Sequence, residues 1–169
     1  DCLGEQLAER DQKNWLMHGG KSSLLASGTH HQLEGWPVGV RDPLFPKERL
    51  ATILLKNKGM SPSGAGIQFF RHEGKRYGHI LDPRTGKPAE NVLSVTVLAP
   101  TAAEADALST AFFVMGLEKT REYCDTNRDI EVLLIPPPQS GRHLKVHTFN
   151  LPDRTLFLSQ HSEQIDESP

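Results

Sequence analysis

The sequence predicts an α+β fold, in which a mixed, mostly antiparallel sheet packs against one long buried helix and shorter helices. Short runs of apolar and β-branched residues recur along the chain and are separated by glycine, proline and asparagine turns, a pattern typical of strands. One segment, 101–116, carries helix signals at both of its ends. The length of 169 residues suits one domain. We therefore expect a single domain over 1–169, with a frayed polar tail at 162–169.

The composition excludes several classes of protein. Lys+Arg is 19 and Asp+Glu is 21, for a net charge of −2. This near-balance lacks the basic surface that nucleic-acid binding requires, so no nucleic-acid partner is expected. The apolar runs are shorter than the roughly 20 residues that a membrane span needs. Cys2 and Cys124 belong to no Cys-x-x-Cys pair and are expected to be free thiols.

The first part of the chain predicts one helix and four strands. The helix covers 1–10, since Leu3 and Leu7 are four residues apart. The predicted strands cover 15–17, 22–26, 36–40 and 50–56. The last is assigned as a strand because β-branched residues in it precede a turn at 57–59. The Ser-Pro-Ser-Gly stretch at 61–64 predicts a tight loop.

The second part predicts a hairpin, two helices and the remaining strands. The hairpin pairs 67–71 with 75–81 about a turn at 72–74, and a second turn follows at 82–86. Strand 93–99 leads to helix 101–116, and the later elements are helix 118–124 and strands 130–135, 143–149 and 155–159. The aromatic residues expected to fill the core are Phe69, Phe70, Phe112 and Phe113.

Helix 101–116 contains a potential metal site. Thr101 followed by Glu104 is a capping box, and Gly116 is a natural left-handed terminator. Asp106 and Thr110 lie one turn apart on one side, but apolar residues flank them, which predicts a buried helix. A buried carboxylate must pair with a cation, and hard oxygens at this spacing suit Mg²⁺ or Ca²⁺. Alternatively, Asp106 pairs with a lysine or arginine and Thr110 bonds back to the helix backbone.

The stretch 77–86 contains a potential general base. It places His79 on a strand just before a rigid turn, in which Pro83 presets the backbone and Gly86 permits a left-handed exit. Histidine is the usual general acid or base near neutral pH. Alternatively, His79 bonds a neighbouring carbonyl and Asp82 merely makes an Asx turn.

Three stretches in order resemble one family. The sequence His-Ile-Leu-Asp-Pro-Arg-Thr-Gly-Lys-Pro at 79–88 resembles the signature of the FAD:protein FMN transferases, the ApbE family. Ser-Val-Thr-Val at 94–97 and Ala-Asp-Ala-Leu-Ser-Thr-Ala at 105–111 resemble the family's next strand and its metal helix. Gly19-Gly20 and the 61–64 loop fit upstream. The resemblance covers about 1–135.

The resemblance implies a specific reaction. Enzymes of this family use Mg²⁺ to transfer the FMN half of FAD, their substrate, to a Thr or Ser hydroxyl of an acceptor flavoprotein, with release of AMP. Asp106 and Thr110 would be Mg²⁺ ligands, with Ser109 a third candidate, and His79 would be the base. The residues assigned to the flavin-binding site are His79, Ile80 and Asp82, although Asp82 and Arg84 are expected chiefly to fix the turn. A periplasmic or inner-membrane lipoprotein location is also implied.

The chain also departs from the family pattern. Family members are about twice as long, and their first half supplies flavin contacts. In Met17-His18-Gly19-Gly20, the asparagine that often precedes the glycine pair is replaced by histidine or methionine. Two rivals to a transferase therefore stay open. One is a non-catalytic flavin- or metal-binding module, or an inactive fragment without the amino-terminal FAD-binding half. The other is a structural half-domain in which Asp106 pairs with a basic side chain.

Overall fold

Fourteen strands and three α-helices form the described part of the chain, which comprises residues 1–20, 22–64, 69–138, 143–159 and 162–166 of a computed structural model. The helices are α1 (Cys2–Glu9), α2 (Ala102–Met115) and α3 (Leu117–Thr126). The strands are β1 (Trp15–Gly19), β2 (Ser23–Ser27), β3 (Trp36–Arg41), β4 (Arg49–Leu55), β5 (Gly59–Gly64), β6 (Phe69–His72), β7 (Lys75–Gly78), β8 (Leu81–Asp82), β9 (Lys87–Pro88), β10 (Ser94–Ala99), β11 (Glu131–Ile135), β12 (Leu144–Phe149), β13 (Leu156–Leu158) and β14 (Ser162–Asp166).

The strands form a large sheet, a small sheet and two separate two-stranded ladders. The large sheet has the order β1-β2-β5-β10-β11-β12-β14, and the small sheet has the order β13-β4-β3. Neighbouring strands are antiparallel except for β12 and β14, which are parallel. The hairpins are β6-β7 and β8-β9. The predicted α+β class with a mixed, mostly antiparallel sheet is confirmed.

The large sheet separates two apolar layers because successive side chains of a strand point to opposite faces. On β10, Val95 and Val97 pack against the helices, whereas Leu98 packs with the small sheet. Phe112 and Phe113 of α2 are fully buried in the helix-side layer, as predicted. The prediction is wrong for Phe69 and Phe70, which are exposed on the β6 strand.

The ends of α2 follow the capping signals in the sequence. Thr101 Oγ1 accepts a hydrogen bond from the Glu104 backbone N–H at 3.1 Å. The Asp1 carboxylate accepts two more, from Ala102 N at 2.8 Å and Ala103 N at 3.0 Å. Gly116 ends the helix with φ of +82°, a conformation that glycine adopts without strain. Side-chain oxygens thus satisfy three N–H groups that the first turn leaves unpaired.

The prediction that α2 is buried on all sides is wrong. One face is buried through Ala105, Ser109 and the two phenylalanines, but Asp106 and Thr110 are exposed. The prediction relied on the alanines that flank Asp106, but a methyl group covers little of its neighbour's surface, so these alanines leave the carboxylate exposed. The carboxylate is therefore hydrated in the free protein and available to a ligand.

The 61–64 segment is a strand rather than the predicted loop. It continues β5, which pairs along its whole length with β10 from Gly59↔Ala99 to Gly64↔Ser94. On its other side, β5 pairs with β2 only at Gly59 and Met60. Pro62 thus lies beyond the β2 pairing, at an edge-like position where a missing N–H is tolerated.

Gly59 permits a close approach between β5 and α2. A Cβ atom at this position would lie 2.4 Å from both the Ala102 nitrogen and the Thr101 carbonyl carbon. These are backbone atoms at the start of the helix, which cannot rotate away as a flexible side chain would. A residue without a side chain therefore sets how closely α2 lies on the strand.

The predicted hairpin after residue 67 is confirmed where the structure describes it, as β6 and β7; 67 and 68 lie outside the described residues. Its second strand ends at Gly78, so His79 lies in a bend after the strand and not on it. Gly78 pairs with Phe69, the first described residue of β6. Leu81 instead joins β8, which the turn at 82–86 pairs with β9.

The expected frayed tail is wrong for Ser162–Asp166, which form β14 alongside β12; residues 167–169 lie outside the described part. The polar composition of this segment predicted a frayed tail, but an edge strand can form from polar residues because it needs backbone hydrogen bonds on one side only. Cys2 and Cys124 are free, as predicted. Burial raises the pKa of the Cys124 thiol to about 12. None of the described helices is both long enough and apolar enough to cross a membrane.

Candidate functional site

A cleft of about 1020 Å³ is lined by both sheets, by α2 and by the segment 79–81. Its volume is at the upper end of the range for small-molecule sites. Apolar side chains make much of its wall, including Leu24, Val38, Met60 and Ile80. The charged and titratable groups at the cleft are His18, Arg41, Asp42, His79 and Asp106.

The cleft brings together four of the six residues predicted from the sequence as site residues. These four are His79, Ile80, Asp106 and Thr110. Asp82 and Ser109 are not among the described residues that line it. Ser109 is fully buried, which makes it a poorly placed ligand. The role of each residue stays a prediction, but the imidazole and the carboxylate share one cavity.

Asp106 presents its carboxylate to the cleft from the exposed side of α2. One oxygen, Oδ1, accepts a hydrogen bond from Ser61 Oγ at 2.8 Å. Among the described residues, no lysine or arginine forms an ion pair with Asp106, and Oδ2 has no hydrogen-bond donor. The ion-pair alternative thus finds no partner in the part of the chain that the structure describes.

Hydroxyl groups surround this carboxylate. Ser63 Oγ lies 2.9 Å from Ser109 Oγ and 3.3 Å from Thr110 Oγ1. The Ser109 and Thr110 hydroxyls also donate to the Asp106 backbone carbonyl, at 3.0 and 3.4 Å. The back-bonding alternative for Thr110 is therefore observed, although a hydroxyl oxygen that donates its proton keeps lone pairs for a further partner.

The donor atoms around Asp106 fit a hard divalent cation. Among the described residues, no three histidine, cysteine, aspartate or glutamate side chains converge. The donors at this place are thus one carboxylate oxygen without a protein partner and neighbouring hydroxyls. Mg²⁺ is commonly held by one or two carboxylates, with water and substrate phosphates completing its shell. The set fits Mg²⁺ if a phosphorylated ligand completes it.

A clamp between Asp82 and Arg84 holds the turn that follows His79. Asp82 Oδ1 accepts from Arg84 N and Nε, both at 2.9 Å, and Oδ2 accepts from Nη2 at 2.7 Å. Arg84 Nη2 also donates to the Val114 carbonyl near the end of α2, at 3.4 Å. The Asp82 carbonyl accepts from Gly86 N at 2.8 Å. The clamp thereby connects the turn that follows His79 and Ile80 to the helix that carries Asp106.

The clamp predicts a measurable pKa. Hydrogen bonds from Arg84 and its positive charge lower the pKa of Asp82 to about 2. The lowered pKa stabilises the fold above the ordinary Asp value of 3.8, and this stabilisation is lost as the pH falls towards 2. We expect Arg84→Gln to return the Asp82 pKa towards 3.8, as measured by a carboxyl-carbon NMR titration. An unchanged Asp82 pKa in this variant would contradict the clamp.

The structure adds residues that the sequence did not indicate. Arg41 follows a register shift at the end of β3 and supplies a positive charge to the cleft. His18 lines the cleft from β1, at the position noted as a departure from the family. Neither carries a local motif, and only sheet pairing brings them to the site. Ser61 could have been suspected from its serine-rich stretch, but that stretch was assigned as a loop.

Thr96 is a buried hydroxyl at the wall of the cleft. It is 0% exposed, and its Oγ1 has no hydrogen-bond partner among the described residues. An unpaired buried polar group costs about 1–3 kcal/mol. We expect Thr96→Val, which keeps the shape, to stabilise the ligand-free protein by about 1 kcal/mol, or roughly 2–4 °C in melting temperature. If calorimetry instead shows a melting temperature that is lower by a similar amount, the Thr96 hydroxyl is hydrogen-bonded in the protein.

The chain is similar to known proteins of one family. The ApbE family matches residues 1–134. The FAD:protein FMN transferase of Haemophilus influenzae is 36% identical over 83% of this chain and 41% of its own length. That of Escherichia coli K12 is 40% identical over 72% of this chain and 35% of its own length. Flavin transferase ApbE from Vibrio cholerae has a TM-score of 0.72 at 28% identity, over 88% of this chain and 46% of that one. The chain thus spans less than half of these relatives.

Proposed function

Because the chain belongs to the ApbE family, we propose that its cleft serves Mg²⁺-dependent transfer of FMN from FAD to a Thr or Ser hydroxyl of an acceptor protein. AMP is the second product. Relatives named FAD:protein FMN transferase support transfer of flavin from FAD. The acceptor residue, the cation and the leaving group are part of the proposal.

One observation carries the proposal: His79 lines the same cavity as Asp106 and Thr110, although the histidine follows β7 and the other two lie on α2. Phosphoryl transfer depends mainly on positioning and on neutralisation of negative charge. It needs a base at the attacking hydroxyl and positive charge near the phosphates. The cleft supplies an imidazole for the first task, and an exposed carboxylate–hydroxyl pair that could hold a cation for the second.

The acceptor oxygen forms a bond with the phosphorus of the FMN half, and the bond from that phosphorus to the bridging diphosphate oxygen breaks. His79 takes the proton of the acceptor hydroxyl. The leaving AMP keeps the bridging oxygen and its electron pair. Bound Mg²⁺ would neutralise charge on the diphosphate, and Asp106 Oδ2 and Thr110 Oγ1 would hold it.

The remaining cleft residues suit the two ends of such a substrate. Leu24, Val38, Met60 and Ile80 give apolar surface on which a flat ring system can lie. Arg41 adds a positive charge at the same cleft, which favours an anionic ligand. The clamp at Asp82 holds the turn that follows His79, which supports the position of the proposed base near its proton.

Covalent flavinylation is the direct test. The protein is incubated with FAD, MgCl₂ and an acceptor protein that carries a flavinylation threonine, and flavin fluorescence is read after denaturing electrophoresis. We expect a fluorescent acceptor band that needs both FAD and Mg²⁺. An acceptor whose threonine is replaced by alanine is the control and should stay dark.

The rival function, a flavin- or metal-binding module without turnover, predicts a different result. A binding module gives no fluorescent acceptor band. FAD or Mg²⁺ still raises the melting temperature of the protein, because a ligand that binds the native state stabilises that state. A dark acceptor with no stabilisation by either ligand would contradict both the transferase and the module.

A further inference from the structure

Ser61 is a buried serine whose hydroxyl lies between two acceptors. Its side chain is on β5 and is 0% exposed. Its Oγ lies 2.8 Å from Asp106 Oδ1 and 3.1 Å from the Ser22 carbonyl oxygen. A hydroxyl has one proton and donates to one acceptor at a time. The ionised carboxylate is the closer and stronger acceptor, so the proton points to Asp106.

This hydrogen bond makes the two oxygens of Asp106 unequal. Oδ1 is occupied by a donor that is buried and held in a paired strand. Oδ2 has no hydrogen-bond donor among the described residues, and the residue is exposed at the cleft. Oδ1 keeps a lone pair, but a cation bound there must share the oxygen with the Ser61 donor, so Oδ2 is the favoured oxygen for a cation that approaches from the cleft.

The difference matters because divalent cations use carboxylates differently. Ca²⁺ takes six to eight oxygens in a flexible shell and often binds both oxygens of one carboxylate. Mg²⁺ requires a near-octahedral shell with shorter bonds, which one oxygen per carboxylate suits. We propose that Ser61 is a positioning residue that restricts Asp106 to single-oxygen binding and so makes the site selective for Mg²⁺ over Ca²⁺. This inference rests on the proposed function, in which Asp106 binds a cation.

The same strand offers a matched control. Ser63 is two residues further on β5, and its hydroxyl bonds Ser109 and Thr110 instead of the Asp106 carboxylate. Ser63→Ala thus removes one hydroxyl from the same cluster and leaves both carboxylate oxygens as they are. Ser61→Cys is a second test variant, since it keeps the shape of the side chain and replaces the hydroxyl with a weak donor.

The experiment measures the dissociation constants of Mg²⁺ and Ca²⁺ separately, by calorimetric titration of MgCl₂ and CaCl₂ into the wild type and each variant. Circular dichroism checks that every variant is folded. We expect Ser61→Ala and Ser61→Cys to shift the ratio of the two constants towards Ca²⁺ by about tenfold, the lower end of the effect of groups that orient metal ligands. Ser63→Ala removes a hydroxyl that contacts the proposed ligand Thr110, so it should change both constants together and leave their ratio unchanged.

Two results would overturn the inference. If the Ser61 variants weaken both cations equally, Ser61 supports the site without selecting the cation. If neither dissociation constant changes, the hydrogen bond from Ser61 to Oδ1 has no influence on binding. In either case the proposed function survives. If the folded wild type binds neither cation, the metal assignment of the proposed function fails together with the selectivity.

Discussion

Replacing His79 with alanine is expected to lower the rate of flavin transfer by about 10²–10⁴-fold, the usual contribution of a positioned general base. Without the imidazole, the acceptor hydroxyl must lose its proton to water as it attacks phosphorus. The stabilisation of the protein by Mg²⁺ should change little, since His79 is exposed in a bend and is not one of the proposed cation ligands. The rate is read from the growth of the fluorescent acceptor band.

His18 is the matched control for this variant, because it is a second imidazole at the same cleft. His18→Ala should reduce the rate far less than His79→Ala, since the family signature begins at His79. If the two variants have equal effects, His79 is not the base. If transfer is unaffected by His79→Ala, the proton leaves by another route and the proposed mechanism is wrong.

Replacing Asp106 with alanine is expected to remove the response to Mg²⁺. In the wild type, Mg²⁺ at ten times its dissociation constant should add about 1.4 kcal/mol of stability, or roughly 3–6 °C in melting temperature. The variant should show no such gain. Its transfer rate should fall by about 10²–10³-fold, because several kcal/mol of charge stabilisation depends on the cation.

Glu104→Ala is the control for Asp106, since it removes a carboxylate from the first turn of the same helix but outside the residues that line the cleft. It should keep the Mg²⁺-dependent gain in melting temperature. A gain that persists in Asp106→Ala would place the cation elsewhere. A gain lost equally in both variants would indicate a general effect of helix charge and not a ligand.

Elements with strong local signals could be predicted from the sequence. Helix α2 begins after Thr101 and ends at Gly116, because its caps are made by nearby residues. The turn at 82–86 also forms as expected, since Asp82, Arg84 and Gly86 interact within five residues. The residues of the recognised signatures, His79 and Asp106, line one cleft, but this depends on how α2 packs against the sheet and not on a local signal.

Features that depend on distant pairing could not be predicted. The segment 61–64 contains proline and glycine, which locally favour a loop, but β10 pairs with it throughout. The exposure of Asp106 depends on where α2 lies against β5, which no local pattern reveals. Arg41 reaches the cleft through the pairing of β3 and β4. In each case a contact between residues far apart in sequence overrides the local preference.

The absence of a side chain at Gly59 affects the geometry of the cleft, because it sets the distance between β5 and α2. A methyl group there would be 2.4 Å from helix backbone, whereas ordinary contacts begin at 3.4 Å, so α2 would have to rise by about 1 Å. The Ser61–Asp106 hydrogen bond of 2.8 Å crosses this same gap, and such a rise would stretch it beyond bonding length. The absence of a side chain at Gly59 thus keeps α2 close enough to β5 for the Ser61–Asp106 hydrogen bond to form. A folded Gly59→Ala protein should lose cation selectivity as the Ser61 variants do, although neither Ser61 nor Asp106 has been altered.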